Sequence, residues 1–175
     1  MAAGKRVFAE IQEIDKGARK LLVELAKLKK KPYVKAGLLE SSGKHGEKKG
    51  KKGQVKTKGS GPSVVEVATF QEFGTKTIPE RAFLRLAMDE NRGKLNVQID
   101  KLFSSIVEGK MTVEQALKVL GLSMKKEIQS KIRRGPWTPN APSTVRAKGS
   151  SSPLIDSAQM LNSINFEVKE GGDND

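Results

Sequence analysis

The chain contains no cysteine, a single histidine and few aromatic side chains: one Trp, one Tyr and six Phe. Each scarcity removes a class of chemistry. Without cysteine there is no disulfide framework, no zinc ribbon and no thiol nucleophile. His45 alone cannot assemble a multi-histidine metal site, and it lies in a Lys/Gly-rich stretch unsuited to burial. Long apolar runs are missing too, since no segment approaches the roughly 18 consecutive apolar residues of a membrane span. The opening residues, MAAGKRVFAEIQEIDKG, are charged throughout and lack the apolar centre of a secretory signal. That pattern predicts assembly in the cytoplasm and no membrane partner. At 175 residues the length suits one domain.

Catalytic motifs are equally scarce. GKKGQVK is rich in Gly and Lys but lacks the spacing of a phosphate-binding loop and a helix after it. There is no G-x-G-x-x-G after a strand, no H-E-x-x-H and no G-x-S-x-G. Glu10, Glu13 and Asp15 fall on the solvated part of a charged helix, where paired acid–base work would lack the burial it needs. The expectation is a protein that is not an enzyme and carries no cofactor and no metal.

What the chain does have is positive charge, 33 Lys+Arg against 20 Asp+Glu, for a net of +13. Its distribution is uneven. Residues 41–62, SSGKHGEKKGKKGQVKTKGSGP, hold Lys44, Lys48, Lys49, Lys51, Lys52, Lys56 and Lys58 against Glu47 alone. Six glycines in the same stretch oppose helix formation, and almost nothing in it is apolar. This reads as an extended arm, a loop or long hairpin that contacts a partner or DNA. Its lysines suit phosphate contact. The absence of aromatics and arginines argues against base stacking and base-edge readout. Docking on an acidic protein surface and nonspecific backbone contact both remain open, alongside the plainer reading of a solvated loop.

Around the arm the pattern is regular. Val7, Phe8, Ile11, Ile14, Ala18, Leu21, Leu22, Leu25 and Leu28 form one helical stripe that ends at Lys29–Lys31 and Pro32. Val34, Ala36 and Leu38 alternate in a strand over 33–39, and Ile164, Phe166 and Val168 in another over 163–168. Ser63 to Glu66 has capping-box spacing and opens a short helix ending near Phe73 at Gly74, with a β-branched strand at VVEV as the competitor. Phe83, Leu86, Ala87, Leu95, Ile99, Leu102, Phe103 and Ile106 mark a middle helix with a weak point at Gly93. A second box at Thr112/Gln115 opens a helix running to Arg133-Arg134 and stopping at Gly135-Pro136. The stretch 135–153 can hold a turn or short helix. Asp156 can cap one more, with Leu154, Ile155 and Leu161 fixing it to the sheet, and residues 169–175 make a frayed acidic tail. These elements predict an α+β fold, a small antiparallel sheet packed by about three main helices, with a long basic arm. Phe70 and Phe83 are expected in a core corner, beside Arg81 and Arg85 in ion pairs.

The blocks AGLLES, a basic hairpin, EVATFQEFGTKTIPERAFLR and APSTVRAKGSSSPLIDSAQMLNSI follow one another in an order that resembles the tail-completion (neck) proteins of long-tailed bacteriophages, and related virion-morphogenesis proteins. The resemblance covers residues 34–92 and 141–168. It places Glu72, Phe73, Gly74 and Thr75 at the family's helix end, and Ile78, Pro79, Arg81, Phe83 and Arg85 at its turn. Leu154, Asp156, Gln159 and Ser163 fall in its last block. The chain departs from the family at Glu80 and Ala82, where Ala and Pro are usual, and at Ser157-Ala158, where Thr-Gly is usual. The resemblance implies a structural virion protein whose copies form a ring, a hexamer in the family, between the head connector and the tail tube or its terminator. Such a ring leaves a channel for DNA. The alternative is a small nonspecific nucleic-acid-binding protein that uses the arm.

Overall fold

The computed structural model describes residues 17–39, 62–149, 151–154 and 159–171, and every structural statement below refers to these. The arm over 41–61, the apolar stripe before Gly17, residues 155–158 and the last four residues lie outside them. Element order is α1 (Ala18–Leu28), β1 (Tyr33–Leu38), α2 (Val64–Phe73), α3 (Phe83–Val107), α4 (Val113–Arg134), α5 (Pro142–Lys148), α6 (Gln159–Ser163) and β2 (Ile164–Lys169).

Local chemistry explains most of the boundaries. The capping box at α2 forms in both directions: Ser63 Oγ accepts from Glu66 N at 3.1 Å, and Glu66 Oε2 accepts from Ser63 N at 2.6 Å. That reciprocal bond decides for helix over the β-branched alternative at VVEV. Thr112 and Gln115 do the same for α4. α1 stops where the chain turns through Lys31, at a φ of 47°, into Pro32. α3 passes through Gly93 without a break, because that glycine lies on an exposed face with open space around its Cα.

β1 and β2 pair antiparallel, from Tyr33↔Lys169 to Leu38↔Ile164. The sheet therefore begins and ends one residue later on β2 than its hydrophobic alternation predicts. Ser163 closes α6 instead, and Lys169 belongs to the strand rather than to a tail. Two strands cannot hold a sheet in water by themselves. Here α4 supports both of them, and Ala36, Leu38 and Ile164 turn into the main core. Gly121 makes the approach possible, since a methyl group there would overlap the Phe166 ring. The expected small α+β fold is the observed one.

The main core joins α2, α3, α4, α6 and the sheet through Val64, Ala68, Phe83, Ala87, Ile128, Ile132, Met160, Leu161 and Ile164, with Leu154 from the loop before α6. A smaller cluster, Ile106, Val113 and Ala116, closes the α3–α4 turn, with Leu28 of α1 packed on it. Not every apolar residue that marks α3 is buried. Leu95, Leu102 and Ile106 face α4, but Leu86, Ile99 and Phe103 point to solvent, Phe103 with half its surface exposed. Beyond its first turns α3 packs mainly on α4, which covers one stripe of it. Among the described residues, nothing covers the apolar side chains at the neighbouring angle.

Candidate functional site: the α2–α3 corner

The residues carrying the resemblance converge on the turn from α2 into α3. Gly74 ends α2 at a φ of 73°, and a Cβ there would meet Glu80 N at 3.0 Å and Ile78 O at 3.1 Å, so only glycine fits without strain. Thr75 closes the turn. Its N–H donates to Ile78 O at 2.8 Å, while its Oγ1 accepts from Thr77 N at 3.2 Å and Ile78 N at 3.0 Å. Pro79 lies exposed on the outside. Phe83 then enters the core with none of its surface in water.

α3 has an unusual start. Its N-cap is Ala82, which offers no side-chain acceptor. The acceptor comes from the preceding helix: Glu72, 3% exposed, takes Leu84 N on Oε2 at 2.9 Å and Arg85 N on Oε1 at 3.1 Å. Arg85 closes the unit, with Nε on Glu72 Oε1 at 3.1 Å, Nη2 on Glu72 O at 3.1 Å and Nη2 on Glu80 Oε1 at 2.6 Å. Hydrogen bonds to Glu72 and then Glu80 raise the Arg85 pKa above its ordinary value. Glu80 thus supplies a second carboxylate to Arg85, and with Ala82 at the N-cap the capping falls to Glu72. The Arg85 guanidinium also lies 5.1 Å from the centre of the Phe73 ring.

Arg81 corrects the expectation of two ion-paired arginines. It is 3% exposed and touches no carboxylate among the described residues. Its Nε and Nη2 donate to Thr138 O at 3.0 and 2.8 Å, and Nη2 also donates to Pro139 O at 3.4 Å and Asn140 Oδ1 at 3.1 Å. Nη1 donates to Gln71 Oε1. Burial lowers its pKa from the ordinary guanidinium value, and neutral acceptors take the place of water. The planar fork staples the loop after α4 to the α2–α3 corner, a geometry that the single ammonium of lysine cannot reproduce.

Phe70 is the second correction, being 42% exposed rather than in the core. It shares α2 with Val64, Ala68 and Glu72, which face inward, and its own angle around the helix leads out. Phe73, three residues further along α2, is exposed too, at 65%. Leu154 joins the core with Phe83, whereas Gln159 and Ser163 sit half-buried along α6. Asp156 and the arm lysines Lys44, Lys48, Lys49, Lys51, Lys52, Lys56 and Lys58 lie outside the described residues.

Gln71, Thr138 and Asn140, the Arg81 partners, were not legible in the sequence. Three of the five bonds end on backbone carbonyls, which leave no mark on residue type. Trp137 offered the one available signal, a lone Trp just after Gly135-Pro136. Its Nε1 donates to Ile132 O at 3.1 Å, and Gly135 leaves room for its ring.

At the corner Glu72, Glu80, Arg81 and Arg85 are each engaged in structural hydrogen bonds. Among the described residues, no three His, Cys, Asp or Glu side chains converge as metal ligands, and no helix is long and apolar enough to cross a membrane. Comparison with protein-family models, with curated proteins and with solved structures finds no match to this chain.

Proposed function

We propose that the chain is a structural subunit of a bacteriophage neck, several copies forming a ring that joins the head connector to the tail tube around a channel for DNA. The family resemblance suggests this role. The observation that carries it is the pair of apolar patches at the two ends of α3. Phe70 and Phe73, three residues apart on α2, and Leu86 in the first turn of α3 are exposed at one end; Ile99, Phe103 and Val107 form an i, i+4, i+8 stripe near the other. At 1.5 Å per residue, Leu86 and Phe103 are about 25 Å apart along one rigid helix. A head-to-tail ring needs two different surfaces on each subunit, unlike the single self-complementary patch of a two-fold dimer. Two separated patches on a charged chain meet that requirement.

Native mass spectrometry with negative-stain electron microscopy tests the reading. The expected result is one closed oligomer with a central opening, reduced to monomer by Phe103→Asp or by Phe73→Asp. A wild-type chain that stays monomeric at high concentration, or a dimer indifferent to Phe73→Asp, overturns the ring. A coding neighbourhood without portal, connector or tail-tube genes argues against the phage neck.

A further inference from the structure

The positive charge is not confined to the arm. Residues 17–39 carry Arg19, Lys20, Lys27, Lys29, Lys30, Lys31 and Lys35 against Glu24 alone, a net of +6 in 23 positions. Taken as one run, residues 17–62 hold 14 cations and three carboxylates, so +11 of the total +13 comes from this quarter of the chain. The described part of that run is α1, its turn and β1, built on the folded body.

The fold brings Lys29, Lys30, Lys31 and Lys35 to one edge. The turn through Lys31 swings the chain from α1 straight into β1, so that Lys29, Lys30 and Lys31 sit at a corner beside the end of β2. In the sheet, Tyr33 and Lys35 share the face turned away from α4, with the Lys35 ammonium 5.4 Å from the Tyr33 ring centre. Their partners in register are Lys169 and Glu167. The carboxylates of the region are already engaged: Glu24 by Lys27, Glu170 by Lys30 and Glu167 by Lys169. Lys29, Lys31 and Lys35 remain exposed with no carboxylate partner among the described residues. Tyr33 and Lys35 are exposed on this face, which is covered only towards Gly37, where Leu84 of α3 approaches.

We infer that the α1–β1 edge is a phosphate-contact surface for duplex nucleic acid, with Lys29, Lys31 and Lys35 as its principal cations and the Tyr33 hydroxyl as a further donor. Excess lysine on an open, firmly held strand and corner neutralises phosphates without reading bases. The cations of the edge are lysines and Tyr33 is its one aromatic, so contact is with backbone and independent of sequence. The inference does not rest on ring formation, since the edge is complete in one copy.

The test is fluorescence anisotropy of the full chain on a labelled mixed-sequence duplex of about 30 base pairs, over a range of salt. The Lys29→Gln/Lys31→Gln/Lys35→Gln variant removes three phosphate-neutralising cations. It should flatten the slope of log affinity against log salt by roughly two to three units. The corresponding Lys→Arg variant should keep the wild-type slope. A control removing equal charge elsewhere, Lys76→Gln/Lys101→Gln/Lys126→Gln, should change it by less than about one unit. The difference should persist in a chain lacking residues 44–58. The inference is overturned if the edge variant keeps the wild-type slope, if the control flattens it equally, or if the effect disappears without residues 44–58. Tighter binding to polyglutamate than to duplex of equal charge overturns it in favour of an acidic protein surface. Retention of the wild-type melting curve by the Lys→Gln variant separates loss of charge from loss of fold. A monomer that binds duplex with the expected slopes removes the ring and leaves this inference standing.

Discussion

The α2–α3 corner and the α1–β1 edge use charge in opposite ways. At the corner, Glu72 and Arg81 are buried, and their polar atoms are matched by named partners: two helix N–H groups and Arg85 for the first, a fan of neutral oxygens for the second. At the edge no residue of α1 is buried, and lysines stand in water with few partners. Buried charge is costly unless fully satisfied, so it fixes one geometry. Exposed charge costs almost nothing and fixes no geometry, which leaves it available to a partner. The corner uses its hydrogen bonds to hold a shape, and the edge keeps its charge for contact.

That contrast can be broken by substitution. The largest effect is expected at Phe83: truncation to Ala in the core should cost about 3–5 kcal/mol, read as a lowered midpoint in denaturant, whereas Phe103→Ala should stay within about 0.5 kcal/mol in the monomer. Equal losses at the two phenylalanines would erase the distinction between anchor and surface patch. Next comes Glu72→Gln, which replaces one acceptor oxygen by an amide nitrogen facing N–H groups. About 1–3 kcal/mol of destabilisation is expected, and an unchanged melt would show that α3 does not depend on its borrowed cap.

A smaller effect concerns the second borrowed acceptor. Glu24 of α1 accepts from Val113 N at 2.9 Å, at the first turn of α4, and from Lys27 at 2.6 Å. The Lys27 bond, followed by that from Val113, lowers its pKa below the usual carboxylate value. A carboxylate with a depressed folded pKa contributes stability above its unfolded value and loses it as pH falls through the folded value. Acid titration of stability should therefore show a loss, below the ordinary carboxylate range, that Glu24→Gln removes; identical acid profiles for the two proteins would refute the cap. Gly93→Ala on the exposed face of α3 should stabilise by about 0.5–1 kcal/mol, checked by thermal melting, and a loss would mean that the face is covered. Smallest of all, the triple Lys→Gln change at Lys29, Lys31 and Lys35 should move stability by no more than about 0.5 kcal/mol.

Much of the fold was legible residue by residue. Reciprocal caps at Ser63/Glu66 and Thr112/Gln115, the stop at Gly135, and the alternation of Val34, Ala36 and Leu38 are local signals, and each marks the element it predicts. Less of the corner could be read. Phe73, Gly74, Thr75 and Arg85 stood out by type and order, but the resemblance gave them no mechanism. That Glu72 would cap α3 depends on two helices meeting at a particular angle. The fate of Arg81 depends on a loop 57 residues further on. Composition likewise hid the edge. Lysine alternating with glycine makes the arm conspicuous, whereas an equal charge spread over an ordinary helix and strand does not stand out.

The sequence by itself determined the periodicities, the helix ends and the uneven charge, because these depend on neighbours within a turn or two along the chain. Only the tertiary structure decided which apolar residues are core and which are patch. Ile106 and Phe103 read alike in a helical stripe, yet one meets α4 and the other meets water. It also decided which ionised groups are structural: Glu72 and Glu24 became caps for helices that begin far from them in sequence, whereas Lys29, Lys31 and Lys35 were left facing solvent. The absent cysteines and the solitary His45 excluded chemistries from the outset, but the use made of the charge that remained was set by packing, since burial and the partners met there determine what an ion costs.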